Sequence, residues 1–150
     1  MDLILWRHAD AHPGSPDLER ELTAKGQKQA AQMAAWLRHH LPEGTRILVS
    51  PAARSLQTAK ALRLEFETVD EVGPGASSGA ILRAAGWPDA RGAVMVVGHQ
   101  PSLGQVAALL LAGEDAEWSI KKGGIFWLSH RGAGSEPEVA LRAVLSPDLV

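Results

Sequence analysis

The chain contains no cysteine, which excludes a disulfide framework and a thiol nucleophile. Long apolar runs are also missing. The longest, Val106-Ala107-Ala108-Leu109-Leu110-Leu111-Ala112, falls far short of the roughly 20 residues that cross a bilayer and reads as a buried helix. Met1-Asp2 supplies no basic leader and Arg7 interrupts the first apolar run, so neither a signal peptide nor a membrane partner is expected. Neither sign of charge dominates. Seventeen acidic against fifteen basic residues leave a formal net charge of -2, which argues against a nucleic-acid or anionic-membrane partner. Internal repeats, heptad arrays and low-complexity tails are absent too. The chain of 150 residues at 45% hydrophobic content suits one domain, residues 1–150, with its own core, and a composition compatible with the cytoplasm.

What the sequence does have is an apolar run, Leu3-Ile4-Leu5-Trp6, that switches abruptly to Arg7-His8. Such a run reads as a buried strand, and the switch puts two polar side chains at its carboxyl end, where open α/β sheets bind ligands. Two later segments repeat the pattern. Ile47-Leu48-Val49 leads into Ser50-Pro51-Ala52-Ala53-Arg54, with Ser50 and Pro51 marking a helix start. Ala93-Val94-Met95-Val96-Val97 leads into Gly98-His99, with a further helix beginning at Pro101-Ser102. Three strands thus deliver cationic or imidazole groups just past their carboxyl ends: Arg7 and His8, Arg54, and His99.

Two arginines and two histidines converging on one point suit a dianionic phosphoryl group. Guanidinium forks match phosphate oxygens bidentately and keep their charge at any working pH. Helix amino termini beside Arg54 and His99 would add oriented backbone N–H groups. One imidazole, with its facing nitrogen unprotonated, can attack phosphorus while the other donates a hydrogen bond to the equatorial oxygens. This chemistry requires no metal and no cofactor. His39-His40 point in different directions on a helix and have no third ligand in view, so they read as a cationic helix terminus rather than a metal site.

The coarse order is strand and helix alternating four times, then two final strands. The first helix is expected to begin at the N-cap Thr23 and to run through Ala30, Ala34 and Leu37 to about His40, where Leu41-Pro42-Glu43-Gly44 ends it. The proline- and glycine-rich stretch from Ala11 to Asp17 lies beside His8 and shapes access to it. Alternation predicts parallel βαβ units with helices on both faces. Gly124 to Ser129 and Val139 to Leu145, flanking a Gly-Ala-Gly-Ser turn, predict a C-terminal antiparallel hairpin. The expected fold is therefore α/β: a three-layer sandwich with a mostly parallel, mixed sheet. Trp36 and Trp127 are expected in the core, and Trp87 and Trp118 partly exposed. Lys121-Lys122 read as a solvated edge, or as a small basic patch suited to an acidic protein partner.

At the three strand ends the chain resembles the histidine phosphatase superfamily, whose fold is phosphoglycerate mutase-like. Arg7-His8-Ala9-Asp10 is similar to its RHG signature, Ser50-Pro51-Ala52-Ala53-Arg54-Ser55-Leu56-Gln57-Thr58-Ala59 to its SPxxRxxQTA block, and Val97-Gly98-His99-Gln100-Pro101-Ser102-Leu103 to its second-histidine block. Order and spacing agree over nearly all of the chain. The short length, Leu22-Thr23-Ala24-Lys25-Gly26 and the Gly98 to Gly104 wording most resemble the bacterial SixA-type phosphohistidine phosphatases. The resemblance implies the same fold, a phosphohistidine intermediate on His8, and a phosphate pocket of Arg7, Arg54 and His99. Ala9 departs from the signature glycine, and its methyl group fits if φ is negative there. Glu71 follows a third short strand at roughly the family's position for the acid that protonates the leaving group. It reads equally as a solvated loop carboxylate.

Two function classes stay open at this point. One is a metal-independent phosphatase acting through His8; the other is a phosphate-binding or interaction module that kept the fold and lost turnover. Presence of all four pocket residues favours the enzyme. Its substrate is a phosphohistidine-bearing protein, or else a small phosphomonoester or the substrate of a phosphoglycerate-mutase-like transferase, although such transferases normally carry larger insertions over the site. Between Thr58 and Val94 a helix, a short strand and another helix use up the chain, leaving little for a lid. An open pocket favours phosphohistidine displayed on another protein. Oligomeric state is not legible.

Overall fold

A computed structural model describes residues 1–132 and 138–150. The apolar runs become β1 (Asp2–Arg7), β2 (Arg46–Val49), β3 (Glu67–Thr68), β4 (Ala93–Gly98), β5 (Ile125–Arg131) and β6 (Glu138–Leu145), joined in one six-stranded sheet of order β3-β2-β4-β1-β5-β6. Pairings β1 with β4, β2 with β4 and β2 with β3 are parallel, whereas β1 with β5 and β5 with β6 are antiparallel. The hairpin is as expected. Of its Gly-Ala-Gly-Ser turn, Ala133, Gly134 and Ser135 lie outside the described residues.

Four helices, α1 (Ala24–His40), α2 (Ala53–Lys60), α3 (Ser78–Ala85) and α4 (Ser102–Ala112), cover the two faces. Side-chain alternation along each strand decides which helices it serves. Ile4, Trp6, Ile47, Val49, Met95 and Val97 pack with Met33 and Leu37 of α1 and Ala59 of α2. Leu3, Leu5, Leu48, Val94 and Val96 pack with Ile81 of α3 and Leu103 and Val106 of α4. Because β1 and β4 are buried on both sides, they read as continuous apolar runs rather than alternating ones. Each fully buried Leu or Ile contributes roughly 1.5–3 kcal/mol relative to leaving it exposed. The result is the three-layer α/β sandwich with a mixed sheet.

Helix α1 starts where its cap predicts, because Thr23 Oγ1 accepts the Gly26 N–H at 2.9 Å, and it ends before Pro42. Gly26 permits a close approach: a Cβ there would stand 2.0 Å from the Asp10 carbonyl oxygen, so only glycine lets α1 pack onto the segment following His8. Helix α2 begins later than expected. Its N-cap is Ala52, and Ser50 Oγ accepts the Ala52 N–H at 3.2 Å, so Ser-Pro forms the turn before the helix. The apolar run Val106 to Ala112 forms part of helix α4 as expected, packed into the core on one side with Leu109 exposed on the other. Trp127 is buried. Trp36 is only half-buried, meeting Trp127 edge-on and stacking on His40 at 4.0 Å, while Trp87 and Trp118 are partly exposed as expected. Among the described residues no helix is long and apolar enough to cross a membrane.

Candidate active site

Strands β2, β4 and β1 are neighbours in the sheet, so the three polar segments open side by side at its carboxyl edge. The His8 backbone is held on both sides: its N–H donates to the Gly98 carbonyl and its carbonyl accepts from Gly123 N–H, both at 3.0 Å. The next N–H, of Ala9, donates to Thr58 Oγ1 on α2 at 3.1 Å. Ala9 is fully buried, and Arg63 is the one non-glycine residue of positive φ among the described residues, so the extra methyl sits on ordinary backbone. Arg54 projects from the first turn of α2, and His99 accepts the Leu103 N–H of α4 on its carbonyl.

The structure brings all four expected residues together. Arg7, His8, Arg54 and His99 line one cavity of about 220 Å³, joined there by Arg20 and Lys122. The two imidazole centroids are 5.2 Å apart. His8 Nδ1 lies 2.7 Å from the Ala9 carbonyl oxygen, which can only accept, so the ring proton sits on Nδ1. Its Nε2 therefore carries the lone pair and accepts from Arg54 Nε at 3.3 Å. Burial, reinforced by the charges of Arg54, Arg7 and Arg20, lowers the His8 pKa to about 4. A neutral imidazole with its lone pair on Nε2 is what nucleophilic attack requires, and the long bond from Arg54 must yield when phosphorus approaches.

His99 plays a different part. Its pKa is lowered to about 3, first by burial and then by neighbouring His8 and Arg54. Nε2 lies 2.7 Å from Ser50 Oγ and 3.3 Å from Ser55 Oγ. A hydroxyl donating to Nε2 leaves the ring proton on Nδ1, which is buried without a partner. Among the described residues, Arg7 Nε is the other buried side-chain nitrogen without one. Both belong to residues lining the cavity, so the two unpartnered nitrogens lie in the walls of the site, next to the groups that face it. The remaining guanidinium contacts fix orientation: Arg7 Nη1 donates to the Ile120 carbonyl at 2.8 Å, and Arg54 donates to the Asp17 carbonyl at 2.8 Å and to its carboxylate at 3.1 Å.

Asp17 entered the sequence reading only as the end of the loop beside His8, and Arg20 not at all. They form an ion pair at 3.1 Å on the stretch beside His8, and Arg20 also donates to the His12 carbonyl at 2.7 Å. Their spacing of three residues, inside a loop already placed at the site, was the available signal. Lys122, taken as a solvated edge or basic patch, pairs with Asp10 at 2.9 Å and reaches the cavity. Glu71 is exposed on a 3-10 turn, Asp70–Val72, and does not line the cavity. The structure thus supports its reading as a solvated carboxylate. His40 bonds the Trp36 carbonyl at 2.7 Å, and no metal-binding group of side chains occurs among the described residues.

The depressed histidines carry a pH signature. An imidazole that titrates at about 4 or 3 when folded and near 6.5 when unfolded takes up protons on unfolding. Its contribution to stability is complete above about pH 6.5 and is lost as pH falls toward 4 and then 3. Denaturant midpoints measured from pH 7 to pH 4 are expected to fall steadily, and the fall should shrink in a His8→Gln, His99→Gln double variant. An equal fall in that variant would assign the acid sensitivity to other groups.

The model of the histidine phosphatase superfamily (branch 1) matches residues 3–73. The phosphohistidine phosphatase SixA of Escherichia coli K12 is 32% identical over 124 residues, covering 76% of this chain and 76% of the relative. An uncharacterised protein of Picosynechococcus is 35% identical over 149 residues, covering 89% and 87%. The structure of the protein histidine phosphatase SixA complexed with tungstate superposes with a TM-score of 0.81 at 26% identity, covering 99% of each chain.

Proposed function

Because the chain belongs to the histidine phosphatase superfamily and is a phosphatase, we propose that it removes the phosphoryl group from phosphohistidine on a partner protein, with His8 as the covalent acceptor. The observation that carries the substrate choice is the lining of the cavity: among the described residues it holds arginines, a lysine and two histidines but no carboxylate. Asp17 and Asp10, which bond the lining residues, have pKa values lowered by hydrogen bonds, Asp17 from Arg54 and Arg20, and Asp10 from Thr23 and Lys122. Both are bases at neutral pH, not acids. An alkoxide leaving group needs a proton from the enzyme; the imidazole of phosphohistidine can take one from solvent on its remote ring nitrogen. The name of the Escherichia coli relative and the tungstate complex, tungstate being a tetrahedral oxyanion like phosphate, support the same reading.

The reaction runs in two displacements. The His8 Nε2 lone pair forms a bond to phosphorus as the bond from phosphorus to the substrate imidazole breaks, and that imidazole leaves protonated. Arg7, Arg54 and His99 hold the equatorial oxygens as charge spreads over them. Water then attacks phosphorus, the electron pair returns to His8 Nε2, and inorganic phosphate departs. The sum is hydrolysis, with no metal in either step.

This reading is tested by comparing kcat/KM for a histidine-phosphorylated protein with that for small phosphomonoesters such as sugar phosphates. The protein is expected to be the better substrate by about tenfold or more, since the open cavity grips little beyond the phosphoryl end. Glu71→Gln is expected to leave both values unchanged, because Glu71 stands outside the cavity. Efficient action on a sugar phosphate with none on the phosphoprotein would make this a small-molecule phosphatase.

A further inference from the structure

Four of the chain's five lysines, Lys25, Lys28, Lys121 and Lys122, line a second cavity of about 730 Å³; the fifth is Lys60. Lys122 lines the active-site cavity as well, so the two are contiguous at that side chain. All four lysines are exposed. Asp148 is the one acidic residue on this wall among the described residues, and Gln29 and Gln32 add neutral hydrogen-bonding groups. Over the whole chain the formal charge is -2, so the groove reverses the sign of the molecule locally.

Two of these lysines stand where helix α1 itself does not favour a cation. Lys25 stands in the first turn of α1, which has no acidic residue, where the helix dipole disfavours a cation. Lys28, three residues on, is its like-charged neighbour on the same helix face. Among the described residues, neither they nor Lys121 form a salt bridge, Lys122 being the lysine that does. Asp10 lies near enough to Lys25, and Asp148 to Lys121, for opposite charges to interact, and four lysines against these two carboxylates leave the groove net positive. Exposed lysines on flexible stems also form no rigid fork for one small anion; their collective field attracts and orients an extended acidic surface.

We infer that this lysine groove docks an acidic face of the phosphohistidine-bearing substrate protein, setting its phosphorylated side chain over His8. The inference rests on the proposed phosphoprotein substrate and adds which partners are chosen. It is tested with a Lys25→Glu, Lys28→Glu variant, whose new carboxylates suit the start of a helix and leave the catalytic residues untouched. Two substrates are compared: a protein phosphorylated on a histidine with acidic residues around it, and p-nitrophenyl phosphate. The variant is expected to lose about tenfold or more in kcat/KM on the phosphoprotein at low salt, with the gap closing at high salt and with no change on the ester. A wild-type enzyme active on the phosphoprotein, with a variant equally active, would overturn the groove while sparing the substrate reading. A wild-type enzyme that cleaves the ester and ignores the phosphoprotein would overturn both. An equal loss on both substrates would show damage to the active site and count against docking.

Discussion

His8→Ala is expected to lower turnover by roughly a thousandfold or more, because it deletes the only route through a covalent phosphoenzyme. The fold should survive. The bonds from His8 N–H to Gly98 and from Gly123 to the His8 carbonyl involve backbone atoms alone and remain in the variant. Removing a buried imidazole held neutral far below its ordinary pKa also leaves no buried charge unpaired. The variant should therefore melt cooperatively, bind phosphate or vanadate, and show no radiolabel after incubation with labelled substrate and an alkaline denaturing quench that preserves phosphohistidine. A well-folded His8→Ala protein with ordinary turnover would remove the nucleophile from the account.

Arg54→Ala is expected to reduce kcat/KM by about a hundredfold to a thousandfold, as does loss of one preorganised donor in other charge-stabilising sites. The residue has two tasks here. Its Nε donates to His8 Nε2, steering the lone pair, while its Nη atoms hold Asp17 and with it the loop at the site entrance. Arg54→Lys should recover little, because an ammonium group has no planar fork to meet His8, Asp17 and phosphate together. His99→Ala should fall in the same range, since it deletes an imidazole lining the phosphoryl cavity. Steady-state kinetics on any one substrate distinguishes the outcomes: a loss of only a few-fold in Arg54→Ala would mean that Arg7 and Arg20 suffice for the phosphoryl group.

The fold and the central four residues were legible for one physical reason. A strand buried on both faces must be apolar until it emerges, so the places where Trp6 gives way to Arg7, Val49 to Ser50 and Val97 to Gly98 mark the carboxyl edge directly. Thr23 was legible because capping is local chemistry. Asp17 and Arg20 were not, since their role depends on a loop folding back over α2, a contact set by tertiary packing. Glu71 stayed open between two readings for the same reason: only the packed position of its 3-10 turn decides whether it faces the cavity or solvent. Ser50 was legible as a turn residue, but its bond to His99 joins the ends of two adjacent strands and needs the sheet order. Of the lysine groove only the Lys121-Lys122 patch was legible; that Lys25 and Lys28 join it depends on tertiary packing, which no local pattern reveals.

The stereochemical course at phosphorus tests the central claim most directly. A phosphorothioate ester made chiral with oxygen isotopes, hydrolysed by the enzyme in isotopically labelled water, reports how many in-line displacements occur. Transfer to His8 Nε2 followed by attack of water is two displacements, and the account predicts retention of configuration. Inversion would mean that water attacks the substrate directly, and would contradict a covalent intermediate on His8.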